Sequence, residues 1–193
     1  MVIMLMIGVR STTYSPALAA AGLRGVTPTV AKEKAVYEEE KAVVSRWLGL
    51  LTGSQEEVWG GFDEVLDPDM TWTVLGTSAV SGTHEGLEAI NRDFFDKCWS
   101  AGDGRGSGIQ GLDSDYGLKL TVTNLVALED GRILVTCASD ARGKNGVPYN
   151  NNYSWIITVR DGKMVKLDEW CDTLAYETAM FDKVLVPAEN LRS

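Results

Sequence analysis

The feature that most constrains the fold is a run of four strand-like segments in the second half of the chain. Each is rich in β-branched and aromatic residues. The segments span residues 118–128, 133–142, 148–159 and 164–171. The connections between them carry the turn dipeptides Asp130-Gly131, Asn145-Gly146 and Asp161-Gly162. Because such dipeptides between apolar runs are typical of β-hairpins, we expect an antiparallel meander.

Helical patterns surround this meander. Apolar residues at helical spacing predict helices over residues 33–52, 54–66 and 86–100, with a strand over 70–75 between the last two. Asp172 is placed to cap a final helix that begins at Thr173. Helices gathered on one face of an antiparallel sheet give an α+β domain, in which the sheet and the helices enclose a cavity.

Composition and charge limit the function. The 193 residues carry a formal net charge of −9 and contain no basic run, so we do not expect a nucleic-acid-binding protein. No apolar stretch approaches the ~18 residues of a transmembrane helix. Cys98, Cys137 and Cys171 are far apart, and His84 is the only histidine. We therefore predict neither a disulfide framework nor a metal site, and no cofactor.

The first 32 residues differ from the rest of the chain. They contain three basic residues, but the first acidic residue is Glu33, and Ala, Ser and Thr are frequent. Such a segment resembles an organelle transit peptide, and a disordered or partner-bound extension is the alternative. We expect a leader over 1–32, a domain over 33–183 and a tail over 184–193. The predicted location is intracellular, either cytoplasmic or organellar (mitochondrion or chloroplast).

Two stretches carry a resemblance to a known family. Residues 67–90 are DPDMTWTVLGTSAVSGTHEGLEAI, and residues 146–173 are GVPYNNNYSWIITVRDGKMVKLDEWCDT. With the order of elements, they resemble the SnoaL-like or ketosteroid-isomerase-like branch of the nuclear-transport-factor-2-like (NTF2-like) superfamily. The resemblance implies a cone with a curved, antiparallel-rich sheet, helices on its concave face and one pocket for a small apolar molecule. It does not specify the reaction, because this fold carries several chemistries and also proteins without any.

Strand alternation predicts which side chains face the pocket. The aromatic side of segment 148–159 carries Tyr149, Asn151, Tyr153, Trp155 and Ile157. That side is too apolar to face water, so we expect it to point inward. On the last strand Leu167, Glu169 and Cys171 share one side. This places Glu169 in the cavity, where burial raises the pKa of a carboxyl group toward the range that suits proton transfer.

Glu169 is therefore the first candidate catalytic residue. Asp140 is the second, because its spacing from Glu169 resembles the two acids of the limonene-epoxide-hydrolase branch, and His84 is the third, near the expected pocket mouth. The predicted substrate-binding residues are Asn151, Tyr153, Trp155, Trp47, Trp72, Thr73, Phe94, Leu167 and Cys171. The chain departs from both named branches: Ala138 stands where the hydrolases have an arginine, and Thr73 falls where ketosteroid isomerases have their base.

Two functions from different classes remain open. One is a small-molecule isomerase, cyclase, dehydratase or hydrolase that uses cofactor-free acid–base chemistry on a small apolar substrate. The other is a non-catalytic ligand-binding or scaffold subunit, such as a component of an organellar assembly. In either case Ile156 and Trp170, on the outward side of their strands, predict a homodimer or larger assembly through the outer sheet face.

Overall fold

An open, six-stranded mixed sheet forms the framework of the protein in a computed structural model, which describes residues 30–52, 61–99 and 111–187. The strands are β1 (Leu66–Val74), β2 (Gly82–Glu85), β3 (Lys119–Ala127), β4 (Ile133–Asp140), β5 (Asn152–Arg160) and β6 (Lys163–Cys171). Their order is β2-β1-β6-β5-β4-β3. Neighbours are antiparallel except for β1 and β6, which are parallel. The predicted α+β class and the antiparallel meander β3–β6 are confirmed.

Three helices lie against this sheet. α1 spans Val30–Leu51. α2 comprises Leu87–Ile90, a π-helical turn at Asn91–Phe95 and Asp96–Trp99. α3 comprises Thr173–Ala175 and a π-helical turn at Tyr176–Met180. As predicted, the side chain of Asp172 caps α3 by accepting a hydrogen bond from the backbone N–H of Leu174. Residues 61–65 are also helical.

The segment before the meander differs from the sequence prediction. The predicted helix over 54–66 gives way to β1 at Leu66, so Pro68 lies inside a strand instead of closing the helix. The pairing of β1 with β6 shifts between Leu66 and Thr71, and such an irregularity accommodates a proline, which has no N–H for the ladder. β2 was not predicted, because its four residues follow glycine and serine residues that indicate a turn. The start of the predicted helix, residues 54–60, lies outside the described residues.

The concave face of the sheet is filled at one end by interlocking aromatic rings. Trp47 of α1 is fully buried and packs edge-on against Trp72 at 5.8 Å and Trp155 at 5.1 Å between ring centroids. Trp72 also lies 4.9 Å from Phe94 and 5.3 Å from Phe95 of α2. This cluster anchors α1 and α2 to the sheet, and burial of such rings is the main stabilising contribution here.

Other sequence predictions concern the ends of the chain. α1 begins at Val30, three residues before the predicted domain boundary at Glu33. Residues 1–29 and 188–193, which hold most of the predicted leader and tail, lie outside the described residues, so both assignments stay predictions. No helix in residues 30–52, 61–99 and 111–187 has the combination of length and apolar character that crossing a membrane requires.

Candidate functional site

A cavity lies between the sheet and the three helices, beside the tryptophan cluster. It contains about 450 Å³ of empty space, much of which belongs to its open mouth, so the enclosed part is narrow. The aromatic side chains that line it are Trp72, Phe94, Phe95, Tyr149, Tyr153, Trp155 and Tyr176. Leucines, Cys98 and Met180 complete an almost entirely apolar wall around one acid, Glu169.

Glu169 is the chemical centre of this cavity. Its side chain is 1% exposed, and both carboxyl oxygens accept hydrogen bonds. The indole N–H of Trp72 donates to Oε2 at 2.9 Å, and the hydroxyl of Tyr176 donates to Oε1 at 3.0 Å. Burial raises the pKa of Glu169, and the hydrogen bonds from Tyr176 and Trp72 offset part of that rise. The carboxyl group can therefore hold or release a proton nearer to neutral pH than an exposed glutamate does.

A pair of tyrosines faces the same cavity. Tyr153 donates a hydrogen bond to the hydroxyl oxygen of Tyr149 at 2.8 Å, and Asn151 Nδ2 donates to that oxygen at 3.1 Å. Tyr149 accepts both bonds, and its hydroxyl group also interacts with that of Tyr176 in the cavity wall. Burial raises the pKa of Tyr149 and of Tyr153 well above the ordinary value, so both are neutral phenols that act as hydrogen-bond donors.

Asn151 joins the end of the sheet to α3. Its Oδ1 accepts from the backbone N–H of Asp172 at 2.9 Å, and its Nδ2 donates to the Asp172 carbonyl at 3.0 Å. Asp172 in turn caps the helix that carries Tyr176. Asn151 does not contact the Glu169 carboxyl group. It instead holds α3 in place, and Tyr176 of α3 contacts that carboxyl group.

Both π-helical turns contribute to the cavity wall. The turn in α2 supplies Phe94 and Phe95, and the turn in α3 supplies Tyr176 and Met180. A π-helical turn adds a residue to the helical repeat and so changes which side chains face the sheet; such turns occur frequently at functional sites. Phe94 and Tyr176 meet edge-on with centroids 6.4 Å apart. The two turns therefore form one continuous side of the cavity.

Comparison with known proteins identifies the fold. No protein-family model and no curated protein sequence matches the chain. Among solved structures, Bal32a from a soil-derived mobile gene cassette matches with a TM-score of 0.57 and 19% identity, covering 75% of this chain and 98% of that one. An NTF2-like protein from Burkholderia xenovorans matches with a TM-score of 0.51 and 20% identity, covering 74% and 95% of the two chains.

The chain has the NTF2-like fold. A protein assigned as a SnoaL-like polyketide cyclase, from a Jannaschia species, has the same fold with a TM-score of 0.56 and 16% identity, over 76% of this chain and 94% of that one. The predicted NTF2-like fold, with its cone-shaped sheet, is thus confirmed. At such low identity the shared fold does not carry an activity with it.

The NTF2-like cone brings five of the predicted site residues to the cavity. They are Glu169, Tyr153, Trp155, Trp72 and Phe94. Trp47 and Leu167 are fully buried in the packed core but are not part of the cavity wall. Cys171 is half-buried next to Glu169, and Thr73 lies on the opposite side of β1, where its hydroxyl meets that of Thr83 at 3.2 Å.

His84 does not reach the cavity. It is buried on β2, where its Nε2 lies 3.0 Å from the carbonyl oxygen of Val80. Its ring is 6.2 Å from that of Phe94, centroid to centroid, and packs behind the cavity wall. Its contacts are those of a structural histidine that ties β2 to the preceding turn.

The structure also separates Asp140 from Glu169. On β4 the inward positions are Ile133, Val135, Cys137 and Ser139, so the next residue points outward. The Asp140 side chain is 57% exposed, accepts a hydrogen bond from Tyr116 at 2.8 Å and lies 3.7 Å from Lys119 Nζ. The predicted pair of acids is thus not formed, because strand phase places the two carboxylates on opposite faces of one sheet.

Two tyrosines of the cavity wall, Tyr149 and Tyr176, were not among the predicted site residues. Tyr149 was expected to face inward, and its alternation with Tyr153 is the signal that assigns it to the cavity. Tyr176 follows the Asp172 cap by four positions, about one helical turn into α3. The π-helical turn that begins at Tyr176 has no evident sequence signal.

The three cysteines are free thiols. Burial raises the pKa of Cys137 to about 12 and raises those of Cys98 and Cys171 as well, so all three are protonated at neutral pH. In the part of the chain that the structure describes, no three His, Cys, Asp or Glu side chains are grouped so as to hold a metal ion.

Proposed function

We propose that the protein is a small-molecule enzyme of the SnoaL-like type, an isomerase, cyclase, dehydratase or hydrolase, that uses cofactor-free acid–base chemistry at Glu169. The observation that carries the proposal is a carboxyl group, 1% exposed, in the wall of an apolar cavity. Burying an acid is unfavourable unless it is hydrogen-bonded or used, and perturbed acids in clefts are frequent at functional sites. The shared fold of a protein assigned as a SnoaL-like polyketide cyclase supports the class of enzyme.

The proposed step is a proton transfer. Ionised Glu169 takes a proton from a carbon next to a carbonyl group; the C–H bond breaks, and its electron pair moves toward the carbonyl oxygen. Tyr149 donates a hydrogen bond to that oxygen, supported by the bond it receives from Tyr153. Tyr176 and Trp72 hold the carboxylate in place. Return of the proton to another atom completes an isomerisation, and loss of a neighbouring hydroxide as water completes a dehydration.

A generic base-catalysed reaction tests this proposal without knowledge of the substrate. In 5-nitrobenzisoxazole, removal of the C3 proton breaks the N–O bond and releases a coloured cyanonitrophenolate. We expect saturable turnover by the full chain, loss of it in Glu169→Gln and retention in Asp140→Asn. Circular dichroism would verify the fold of each variant. Full activity of Glu169→Gln would rule out Glu169 as the proton acceptor.

One observation favours the non-catalytic alternative. Both oxygens of Glu169 are already hydrogen-bonded, and the enclosed space is small, as expected for a ligand-binding or scaffold protein with a structural carboxyl group. Native mass spectrometry of the purified chain separates the two functions. A co-purified molecule that is released chemically unchanged, together with no turnover of the probe, would favour binding alone.

We also propose that the outer sheet face forms a homodimer. Trp170 is 42% exposed there and Val126 is 43% exposed. The pairs Val126–Leu134 and Leu134–Ile156 place an apolar row across three strands on that face. Trp170→Lys would convert the assembly to a monomer in analytical ultracentrifugation. A wild-type chain that sediments as a monomer at high concentration would contradict the proposal.

A further inference from the structure

The described wall of the cavity carries an acidic side chain but no basic one. Its wall combines seven aromatic side chains with one carboxyl group, and no Lys, Arg or His of the described residues belongs to it. Such a wall is unfavourable for an anion, because it offers no compensating charge. A neutral apolar molecule would contact the rings but would not pair with the negative charge of the ionised acid.

Among the residues that the structure describes, Glu169 has no charged partner nearby. Its hydrogen-bond donors, Trp72 and Tyr176, are neutral. The other titratable groups around it, from β4, β5, β6, α2 and the segment before β5, are Cys137, Tyr153, Cys171, Cys98 and Tyr149. All of them are neutral at neutral pH, and none of the ion pairs of the described residues involves Glu169. A ligand with a positive charge would therefore compensate the negative charge of ionised Glu169.

The wall also indicates what kind of cation this is. A metal ion needs either several oxygen, nitrogen or sulfur ligands or space to keep its bound water. The narrow, apolar wall around Glu169 offers neither the ligands nor the space. An ammonium group with apolar substituents gives up its weak hydration easily and is attracted to the faces of aromatic rings. The net charge of −9 favours the approach of cations from solution.

We propose that the cavity selects a small organic cation, with its ammonium group beside Glu169 and its apolar substituents against the aromatic wall, over neutral and anionic molecules of the same shape. The inference deepens the proposed function, since it names the substrate class of the same site. Binding itself needs only the ionised acid and the rings. A bound cation also favours the carboxylate form that the proton transfer requires.

Three probes of nearly identical shape test the charge preference: choline, its neutral isostere 3,3-dimethylbutan-1-ol, and the anion 3,3-dimethylbutanoate. Binding to the full chain would be measured at pH 8 by isothermal titration calorimetry and by tryptophan fluorescence. We expect choline to bind about ten-fold or more tightly than the alcohol, and the anion most weakly. Equal or tighter binding of the alcohol, or no binding of any probe, would overturn the proposal.

Two variants with the same change in net charge separate the effect of the Glu169 charge in the cavity from the effect of the protein's net charge. Glu169→Gln should reduce choline affinity to that of the alcohol, whereas Asp140→Asn, on the outer face, should leave the ratio unchanged. If the two variants lower the ratio equally, the preference is a property of net charge and the proposal fails. Choline affinity should also rise with pH as Glu169 ionises.

The outcomes distinguish this inference from the acid–base proposal. Turnover of 5-nitrobenzisoxazole that depends on Glu169, without any preference for choline, retains the enzyme and overturns the organic-cation site. A preference for choline that depends on Glu169, without turnover, supports the site and contradicts the enzyme.

Discussion

Two acids on strands β4 and β6 of one sheet show how differently the same chemical group can be used. Glu169 faces the cavity, is 1% exposed and accepts hydrogen bonds from two neutral donors, Trp72 and Tyr176. Asp140 faces outward, is 57% exposed at its side chain and lies beside Lys119. Burial destabilises the charged form of Glu169 and raises its pKa, whereas the Asp140 side chain lies in solvent. The side of the sheet, and not the spacing along the chain, decides which of the two acids is buried in the cavity.

The sharpest way to break this comparison is to neutralise each acid in turn. Glu169→Gln should reduce turnover of 5-nitrobenzisoxazole by about 100-fold or more, the usual contribution of a positioned acid or base. Asp140→Asn should change it by less than about two-fold, as expected for a surface substitution. Initial rates at several substrate concentrations measure both. Equal losses in the two variants would contradict the assignment.

The pH dependence of stability gives the next largest effect. Since burial raises the pKa of Glu169, the native state binds its proton more tightly than the unfolded state does. The stability from this proton is fully present below pH 4.5, the ordinary value, and is lost as pH rises through the raised pKa. One such group changes the unfolding free energy by at most about 1.4 kcal/mol per pH unit.

Urea unfolding of wild type and Glu169→Gln between pH 5 and pH 9 measures the contribution of the Glu169 proton to the unfolding free energy. Because the variant cannot ionise at this position, its stability should fall less with rising pH than that of wild type. Parallel curves for the two proteins would show that burial does not alter the proton affinity of Glu169.

Tyr149→Phe sharpens the comparison within the cavity. It removes the donor proposed for the substrate oxygen but leaves Glu169 and its two hydrogen bonds in place. We expect turnover to fall about ten-fold, which corresponds to one neutral hydrogen bond of roughly 0.5–1.5 kcal/mol. Tyr153→Phe is the matched control. Because Tyr153 acts through Tyr149, this variant should lower turnover less. A larger loss from Tyr153→Phe would reverse the proposed roles.

Tyr176→Phe tests the hydrogen bond that partly offsets burial. Without the Tyr176 hydroxyl the pKa of Glu169 should rise further, because that donor favours the carboxylate. The midpoint of the pH–rate profile should move to higher pH, and the unfolding free energy should fall by about 1 kcal/mol. A loss of rate with an unchanged midpoint would indicate that Tyr176 only fills space.

Tyr116→Phe is the smallest expected effect and the outer-face counterpart of Tyr176→Phe. It removes the hydrogen bond to exposed Asp140. We expect the unfolding free energy to change by less than about 0.5 kcal/mol, with no shift in the pH–rate profile. A shift as large as that of Tyr176→Phe would show that the outer acid is coupled to the reaction.

Much of the cavity's sheet side could be predicted from the sequence. Strand alternation has a period of two, so a few residues fix the phase: the aromatic side of β5 and the Leu167–Glu169 side of β6 both point inward, and Trp155 pairs directly with Glu169. The same rule, applied to β4, would have excluded Asp140, because the apolar residues Val135 and Cys137 fix the opposite phase. Resemblance in spacing to another branch was the weaker guide.

The helical side was harder to predict, because its geometry depends on tertiary contacts. Tyr176 reaches Glu169 through a π-helical turn, and His84 is positioned by a four-residue strand that exists only through pairing with β1. Neither feature has a local sequence pattern strong enough to predict it. Trp47 could be predicted as buried, but whether it would line the cavity or fill the core depended on how α1 docks.

The most direct test of the account is the titration of Glu169 itself. In the protein labelled with ¹³C at the glutamate side-chain carboxyl carbons, we expect one resonance to titrate at a pH clearly above that of the others. That resonance should be absent from Glu169→Gln and present in Asp140→Asn. A spectrum in which every glutamate titrates in the ordinary range would contradict the claim that a buried, proton-exchanging acid is the centre of this cavity.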